Sequence, residues 1–264
     1  MSDSATYQLV YRLRWPIFAV LAVLASLVNV DWSNVSQSGA GSSLQMFATA
    51  LVTPDLSPNH LESVLGAVWI TLAYATTALT LVIIVGIPLG MVASGTVLPS
   101  SPIGSAVAIT VRAYIGFIRT IHELIWALLF VVAFGLSPAV GILAIVVPYS
   151  GIIARIFAER LQDVPEDQIM AAQTSGATKY QQVAFVRIPS VLPDMVSYLF
   201  YRFECAVRTA AVLSFIGLGG IGFRIDIAMK DLDFSAVATL LYTLVALVLM
   251  VDLISGSVRK KLLS

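Results

Sequence analysis

Residues 63–111 read SVLGAVWITLAYATTALTLVIIVGIPLGMVASGTVLPSSPIGSAVAITV, 49 residues without one charged side chain. About 20 apolar residues in a helix cross the ~30 Å hydrocarbon core of a bilayer. The run is therefore too long for one span and too apolar for a soluble domain. Gly86, Pro88, Gly90, Gly95, Pro99 and Pro102 cluster in its second half, and Gly and Pro punctuate helices. It divides into a span over 64–94 and another that starts near 104.

The same reading extends in both directions. Residues 16–30 form a short apolar run opened by Arg12 and Arg14 and closed by Asp31. Leu124 to Ala154 is uncharged and broken by Gly135-Leu136-Ser137-Pro138, so the helix from 104 runs to that break and a fourth span covers 139–158. A fifth covers 194–216 and a sixth 234–251. The expected fold is all-α: a polytopic membrane helix bundle of about six transmembrane helices forming one domain over 1–264. Its first helix (15–31) is peripheral and its core covers 64–257. Composition agrees, with 58% hydrophobic and 11% charged residues and a mean hydropathy of +0.92, against about 25% charged in soluble domains. That excludes a soluble enzyme and a disordered chain. Fifteen Lys and Arg balance fifteen Asp and Glu, so no basic excess points to nucleic acid. Cys205 is the single cysteine, and His60 and His122 stand far apart, which gives no disulfide framework and no metal-ligand spacing.

Orientation follows the positive-inside rule, which counts Lys and Arg alone. None occurs from Trp15 to Val111, so 32–62 is expected outside. Arg12, Arg14, Arg155, Arg160, Lys179, Arg187, Arg259, Lys260 and Lys261 fall on the cytoplasmic side, with both termini. Arg224 and Lys230 lie outside, diluted by Asp226, Asp231 and Asp233. Trp15 and Trp32 bracket the first span as an aromatic belt would. A cleavable signal peptide is the competing reading of 1–31. No small-x-small site follows Val30, which favours a retained helix. The location is the cell (plasma or inner) membrane, multi-pass and in contact with lipid.

Residues 159–193, ERLQDVPEDQIMAAQTSGATKYQQVAFVRIPSVLP, are the one substantial polar stretch on the cytoplasmic side. Two short helices are expected. Asp163 caps the first, Pro165 and Glu166 open it, and Gly176 supplies a left-handed stop. Thr178-Lys179-Tyr180-Gln181 is a capping box for the second, which Pro189 and Pro193 end. Ala171, Ala172 and Gly176 leave the backbone approachable.

Here the chain resembles the permeases of binding-protein-dependent ABC transporters, whose cytoplasmic motif is Glu-Ala-Ala, three residues, Gly, nine residues, then Ile-x-Leu-Pro. This sequence has Ala171-Ala172, Gly176 and, nine residues on, Val186-Arg187-Ile188-Pro189, with Met170 in place of the family's Glu. The resemblance implies that Met170, Ala171, Ala172, Gly176, Val186, Ile188 and Pro189 form a coupling element for a separate ATPase. Tyr201-Arg202-Phe203-Glu204, Val207-Arg208, Val212-Leu213 and Gly217-Leu218-Gly219-Gly220-Ile221-Gly222-Phe223, with Arg119 and Glu123-Leu124-Ile125-Trp126-Ala127-Leu128, resemble the phosphonate-transporter permeases. That family places a proline where His122 stands.

Glu123, Arg202, Glu204 and Arg208 sit in or beside apolar spans, where a charge costs about 2.5–3.5 kcal/mol on insertion scales. Glu204 and Arg208 are four apart and can pair on one helix face, whereas Arg202 lies about 200° round from Glu204. Two readings stay open for Arg119, Glu123, Arg202, Glu204 and Arg208: structural ion pairing, or a translocation path in which arginine forks meet an anion. Gly217, Gly219, Gly220 and Gly222 spell GxGxxG but follow no strand, which leaves a hinge or packing role. Trp126, Phe130 and Phe134 are packing or lipid-facing residues.

No Gly-x-x-x-x-Gly-Lys-Ser/Thr occurs, so no cofactor is expected in this chain, and ATP and Mg belong to the partner ATPase. The resemblance implies a non-enzymatic subunit of an importer for phosphonate, phosphite or a related phosphorus oxyanion, working by alternating access. The implied partners are a second permease copy (a homodimer), two ATPase subunits and an extracytoplasmic substrate-binding protein, with no nucleic acid. The alternative is a permease of the same kind for an amino acid or another small solute. An intramembrane enzyme fits less well, since no nucleophile and base are paired, and a secondary transporter would show internal repeats.

Overall fold

The structure is a computed structural model that describes residues 15–26 and 40–263. Arg12, Arg14, residues 27–31, Trp32 and the segment up to 39 lie outside the described residues, so the flanks of the expected first span are not covered. Contacts divide the chain into residues 1–52 and 53–264. In the first unit, Trp15–Ser26 (α1) is an apolar helix shorter than a full span, and Ala40–Val52 (α2) is a second helix.

The second unit is built of helices alone among the described residues. It holds α3 (Pro58–Ser94), α4 (Pro102–Thr120), α5 (Glu123–Phe134), α6 (Pro138–Gln162), α7 (Glu166–Thr174), α8 (Lys179–Gln182), α9 (Ile188–Leu213), α10 (Ile221–Lys230) and α11 (Phe234–Leu263). Four described segments are long and apolar enough to cross a membrane, and a fifth if α4 and α5 form one bent span. These correspond to the second to sixth expected spans.

The core is the packing of α3 on α6. Val64, Ala67, Thr71, Ala75, Ala78, Val82, Gly86, Gly90 and Ala93 are buried along α3, a stripe at three- and four-residue spacing. Small side chains let membrane helices approach closely. A Cβ at Gly90 would lie 2.7 Å from the Ala154 carbonyl of α6, and one at Gly86 3.0 Å from that of Ser150. Gly86, Pro88 and Gly90 therefore stay inside one helix, which stops at Gly95 (φ 75°).

Three local expectations are corrected. The helix from 104 does not run unbroken to the Gly135 turn; α4 and α5 meet at 89°. Ile121 and His122 take extended ψ values of 126° and 144°, and His122 Nδ1 accepts the Leu124 N–H as the cap of α5. Trp126 Nε1 donates to the Ile118 carbonyl (3.2 Å), which ties the two arms together. Asp163 ends α6 rather than capping α7, whose cap is Pro165 with φ −53° and ψ 135°. Pro189 and Pro193 do not end a helix either: Pro189 falls in the first turn of α9, where a proline is tolerated, and Pro193 lies in its interior. A proline ring clashes with the carbonyl four residues back, and a π turn over Val183–Arg187, closed by Ile188 N–H to the Val183 carbonyl, absorbs the misfit at Pro189.

Hydrogen bonds define two ends of the bundle. At one, Gln162 Nε2 donates to the Ser94 carbonyl (2.8 Å) and Lys179 Nζ donates to the Leu98 carbonyl (3.4 Å). At the other, Thr239 Oγ1 donates to the Asp55 carbonyl (2.9 Å), and Tyr74 OH donates to that of Leu218 (2.6 Å). There Asp233 caps α11: its carboxylate accepts the Ala236 N–H (3.0 Å) and the Ser235 hydroxyl (2.7 Å). Those two bonds, the backbone one first, pull its pKa below the ordinary 3.8. A lowered folded pKa contributes stability above the unfolded value that is lost as pH falls through the folded one. Asp233→Ala is expected to cost about 1 kcal/mol at pH 7. The gap to wild type should narrow below about pH 4 in thermal unfolding of the detergent-solubilised chain. A gap that is constant with pH would contradict the cap.

Candidate functional site

Helices α5, α6 and α9 supply one polar relay. Tyr149 on α6 donates to Thr209 Oγ1 on α9 (2.9 Å), and Thr209 donates to Glu123 Oε1 at the start of α5 (3.0 Å). The carboxylate can only accept, which orients both hydroxyls. His122 Nε2 lies 3.8 Å from the other carboxylate oxygen of Glu123. One α9 turn carries the ion pair Arg208 Nη2 to Glu204 Oε1, 2.9 Å, with Glu204 14% and Arg208 51% exposed. A cavity of about 240 Å³ is lined by His122, Glu123, Leu124, Arg208, Thr209, Val212 and Leu213. The bend at 121–122 is what brings Glu123 to α9.

Arg202 lies apart from that pair. Its guanidinium carbon stands 4.8 Å from the Tyr149 ring centre, 5.5 Å from that of Tyr198 and 5.8 Å from that of Tyr201, and Nη2 donates to Tyr198 OH (2.7 Å). Cation–π contacts contribute about 0.5–2 kcal/mol each way a face is shielded from water. Its buried Nε has no hydrogen-bond partner. Tyr149 thus touches both the cage and the relay. Arg119 is not in this cluster; it lines a different cavity between α4 and α6. Tyr149, Thr209 and Tyr198 escaped the sequence reading; for Tyr149 and Thr209 an isolated hydroxyl in an apolar run reveals nothing of a partner sixty residues away.

The glycine-rich turn after α9 is held by α3. Gly217, Gly219 and Gly220 have φ of 96°, 82° and 92°, a region that only glycine enters freely. The Ile221 N–H donates to Thr71 Oγ1 (3.1 Å) and the Gly222 N–H to Ser214 Oγ (2.9 Å). A Cβ at Gly222 would sit 2.1 Å from the Ala211 carbonyl. No ligand contact is needed to explain these glycines.

The segment 163–187 forms an exposed elbow at the opposite end. Gly176 has φ 81° and closes α7, with its N–H donating to the Gln173 carbonyl and that of Ala177 to the Ala172 carbonyl. Thr178 and Gln181 make the reciprocal capping box. Met170, Ala171 and Gly176 are exposed, Ala172, Val186 and Ile188 half-buried, and Pro189 exposed. A Cβ at Gly176 would meet nothing within 4 Å. The elbow is bolted to the bundle: Val164 and Ile169 are buried, Arg187 Nη1 donates to the Leu161 carbonyl of α6, and Arg160 pairs with Asp194 across α6 and α9 at 3.4 Å.

Residues 86–263 match the family model described as binding-protein-dependent transport system inner membrane component. HtxC of Stutzerimonas stutzeri, named for a phosphite transport system permease, is 31% identical over 92% of this chain and 86% of its own length. The phosphite transport system permease protein PtxC of the same organism is 30% identical over 72% of this chain and 68% of its own. Among solved structures, the inward-facing methionine ABC transporter MetNI superposes with a TM-score of 0.67 over 78% of this chain and 99% of the matched chain. At 24% identity that likeness speaks for the fold alone.

Proposed function

We propose, since the chain belongs to the family of binding-protein-dependent transport system inner membrane components, that it is the permease subunit of an ABC importer for phosphite, a phosphonate or a related phosphorus oxyanion. The observation that carries the substrate class is the 31% identity to a phosphite-system permease across 92% of the chain. A weaker match to the glycine betaine/proline betaine permease ProW of Escherichia coli, 25% identical over 62% of this chain, supports the alternative of another small solute.

In this reading the elbow faces the cytoplasm, as its lysines and arginines favour, and docks on an ATPase subunit that binds ATP and Mg. The working assembly is two copies of this chain, two ATPase subunits and an extracytoplasmic binding protein. Closure of the ATPase pair draws the two elbows together. Buried Val164 and Ile169, the Arg187 bond to α6 and the Arg160–Asp194 pair pass that displacement to α6 and α9. Those two helices carry Tyr149, Thr209, Arg202, Glu204 and Arg208, so the polar cluster moves with the elbow while access alternates. Met170, where the family has Glu, leaves docking to shape and small side chains.

The test is growth on phosphite as sole phosphorus source in a host that can oxidise it but lacks an importer. Co-expression of this chain with its ATPase and binding protein is expected to restore growth, and omission of this chain to abolish it. Uptake of betaine or methionine with no phosphite uptake would overturn the substrate class.

A further inference from the structure

Two helices turn matching faces toward one cavity. On α4 the lining residues are Arg112, Ile115, Gly116 and Arg119, and on α6 they are Arg155, Ala158, Glu159 and Gln162, with Ala93 of α3 at the side. Each set falls at positions 0, 3, 4 and 7, a single helical stripe. The cavity measures about 300 Å³, several times the ~30 Å³ share of one water.

Its charge is unbalanced: three guanidiniums face one carboxylate. Arg155 Nε is paired with Glu159 Oε1 at 2.6 Å, and its terminal nitrogens make no hydrogen bond among the described residues. Arg112 donates Nε to the Ala93 carbonyl (2.7 Å) and Nη2 to that of Ser94 (3.4 Å), which fixes the base of its fork. Gln162 Nε2 is spent on the same Ser94 carbonyl. Arg119 has no hydrogen-bond or ion-pair partner among the described residues. Ala93, Ile115 and Ala158 are buried, so the arginines stand over an apolar floor while their own side chains stay exposed and reachable by an anion. A Cβ at Gly116 would meet nothing within 4 Å, which keeps the space open.

We propose that this cavity binds a tetrahedral phosphorus oxyanion, whether a free solute or the phosphate of a lipid headgroup. Planar guanidinium forks from two sides suit its oxygens, and bidentate contacts of that kind are the strong ones. Glu159 holds Arg155 in place and sets the limit on total positive charge. The cavity lies at the elbow end of the bundle, so for a free solute it is a release subsite; that role, unlike the binding itself, rests on the transport reading.

The experiment uses the wild-type full chain in maltoside micelles free of phospholipid, without ATPase. Phosphite is titrated while phenylglyoxal modification of Arg119 is read by peptide mass spectrometry. A parallel sample carries phosphatidylglycerol and no phosphite. Protection of Arg119 by phosphite, with chloride inert, establishes the free-anion source; protection by phosphatidylglycerol alone establishes the headgroup source. Arg119→Gln with Arg155→Gln should weaken binding about tenfold or more, read as the phosphite-induced or lipid-induced rise in unfolding temperature. Gly116→Leu should do the same by filling the space while keeping every charge. Arg119 modified equally fast with and without either anion would overturn the proposal. Failure here leaves the permease reading standing, and failure to import phosphite with Arg119 protected leaves the site standing.

Discussion

Gly176→Asp is expected to abolish ATP-driven uptake while the chain still folds and inserts. Gly176 sits at φ 81° with open space where a Cβ would go. Aspartate is among the residues that tolerate that backbone region, so the local cost is about 1 kcal/mol. The new carboxylate would project from Ala171, Ala172 and Gly176, the face proposed above to dock on the ATPase. An uncompensated charge buried at a contact costs about 3–5 kcal/mol, and each 1.4 kcal/mol is tenfold in affinity, so the elbow's affinity for its ATPase should fall by about a hundredfold or more. Co-purification of the ATPase and phosphite accumulation in proteoliposomes should fall together, with the unfolding temperature little changed. Full uptake in the variant would remove the elbow from the mechanism.

The second large effect concerns Glu204 and Arg208. Arg208→Gln leaves Glu204, 14% exposed, without its cation in an apolar span, and the expected cost is about 1–3 kcal/mol. Removing both charges relieves the stranded group. The Glu204→Gln/Arg208→Gln double variant should therefore unfold at a higher temperature than Arg208→Gln alone, a positive coupling in the double-mutant cycle. Costs that simply add would show that the pair contributes no mutual stabilisation. Uptake in the double variant then separates the two readings of these residues. Restored stability with restored uptake assigns them to structure, and restored stability without uptake assigns them to the path.

Features set by neighbouring residues were legible in the sequence. The capping box at Thr178–Gln181 and the left-handed stop at Gly176 depend on side chains within four positions, and both are present. The long apolar runs marked the spans because a bilayer demands them. The bend at Ile121–His122 was not legible as a break: histidine is an uncommon cap, and its Nδ1 bond to Leu124 shows only when the helix has already stopped. Pro189 and Pro193 signalled an end, but Pro189 follows a π turn at the first turn of the helix, and the helix runs on through Pro193. The relay from Tyr149 through Thr209 to Glu123 joins positions 60 and 86 residues apart, and only the packing of α5, α6 and α9 reveals it. Likewise Arg119 was grouped in the sequence with Glu123, Arg202, Glu204 and Arg208, but its neighbours Arg112, Arg155 and Glu159 come from the pairing of two helices.

The most direct test is the side of the membrane on which the elbow lies and what it touches. Ala171→Cys is introduced with Cys205→Ser, and the chain is expressed with its ATPase and binding protein. In intact cells a membrane-impermeant maleimide should leave position 171 unlabelled, and permeabilisation should expose it. ATP binding to the assembled complex should then slow its labelling. Labelling from outside the intact cell would contradict the transmission of work through this elbow.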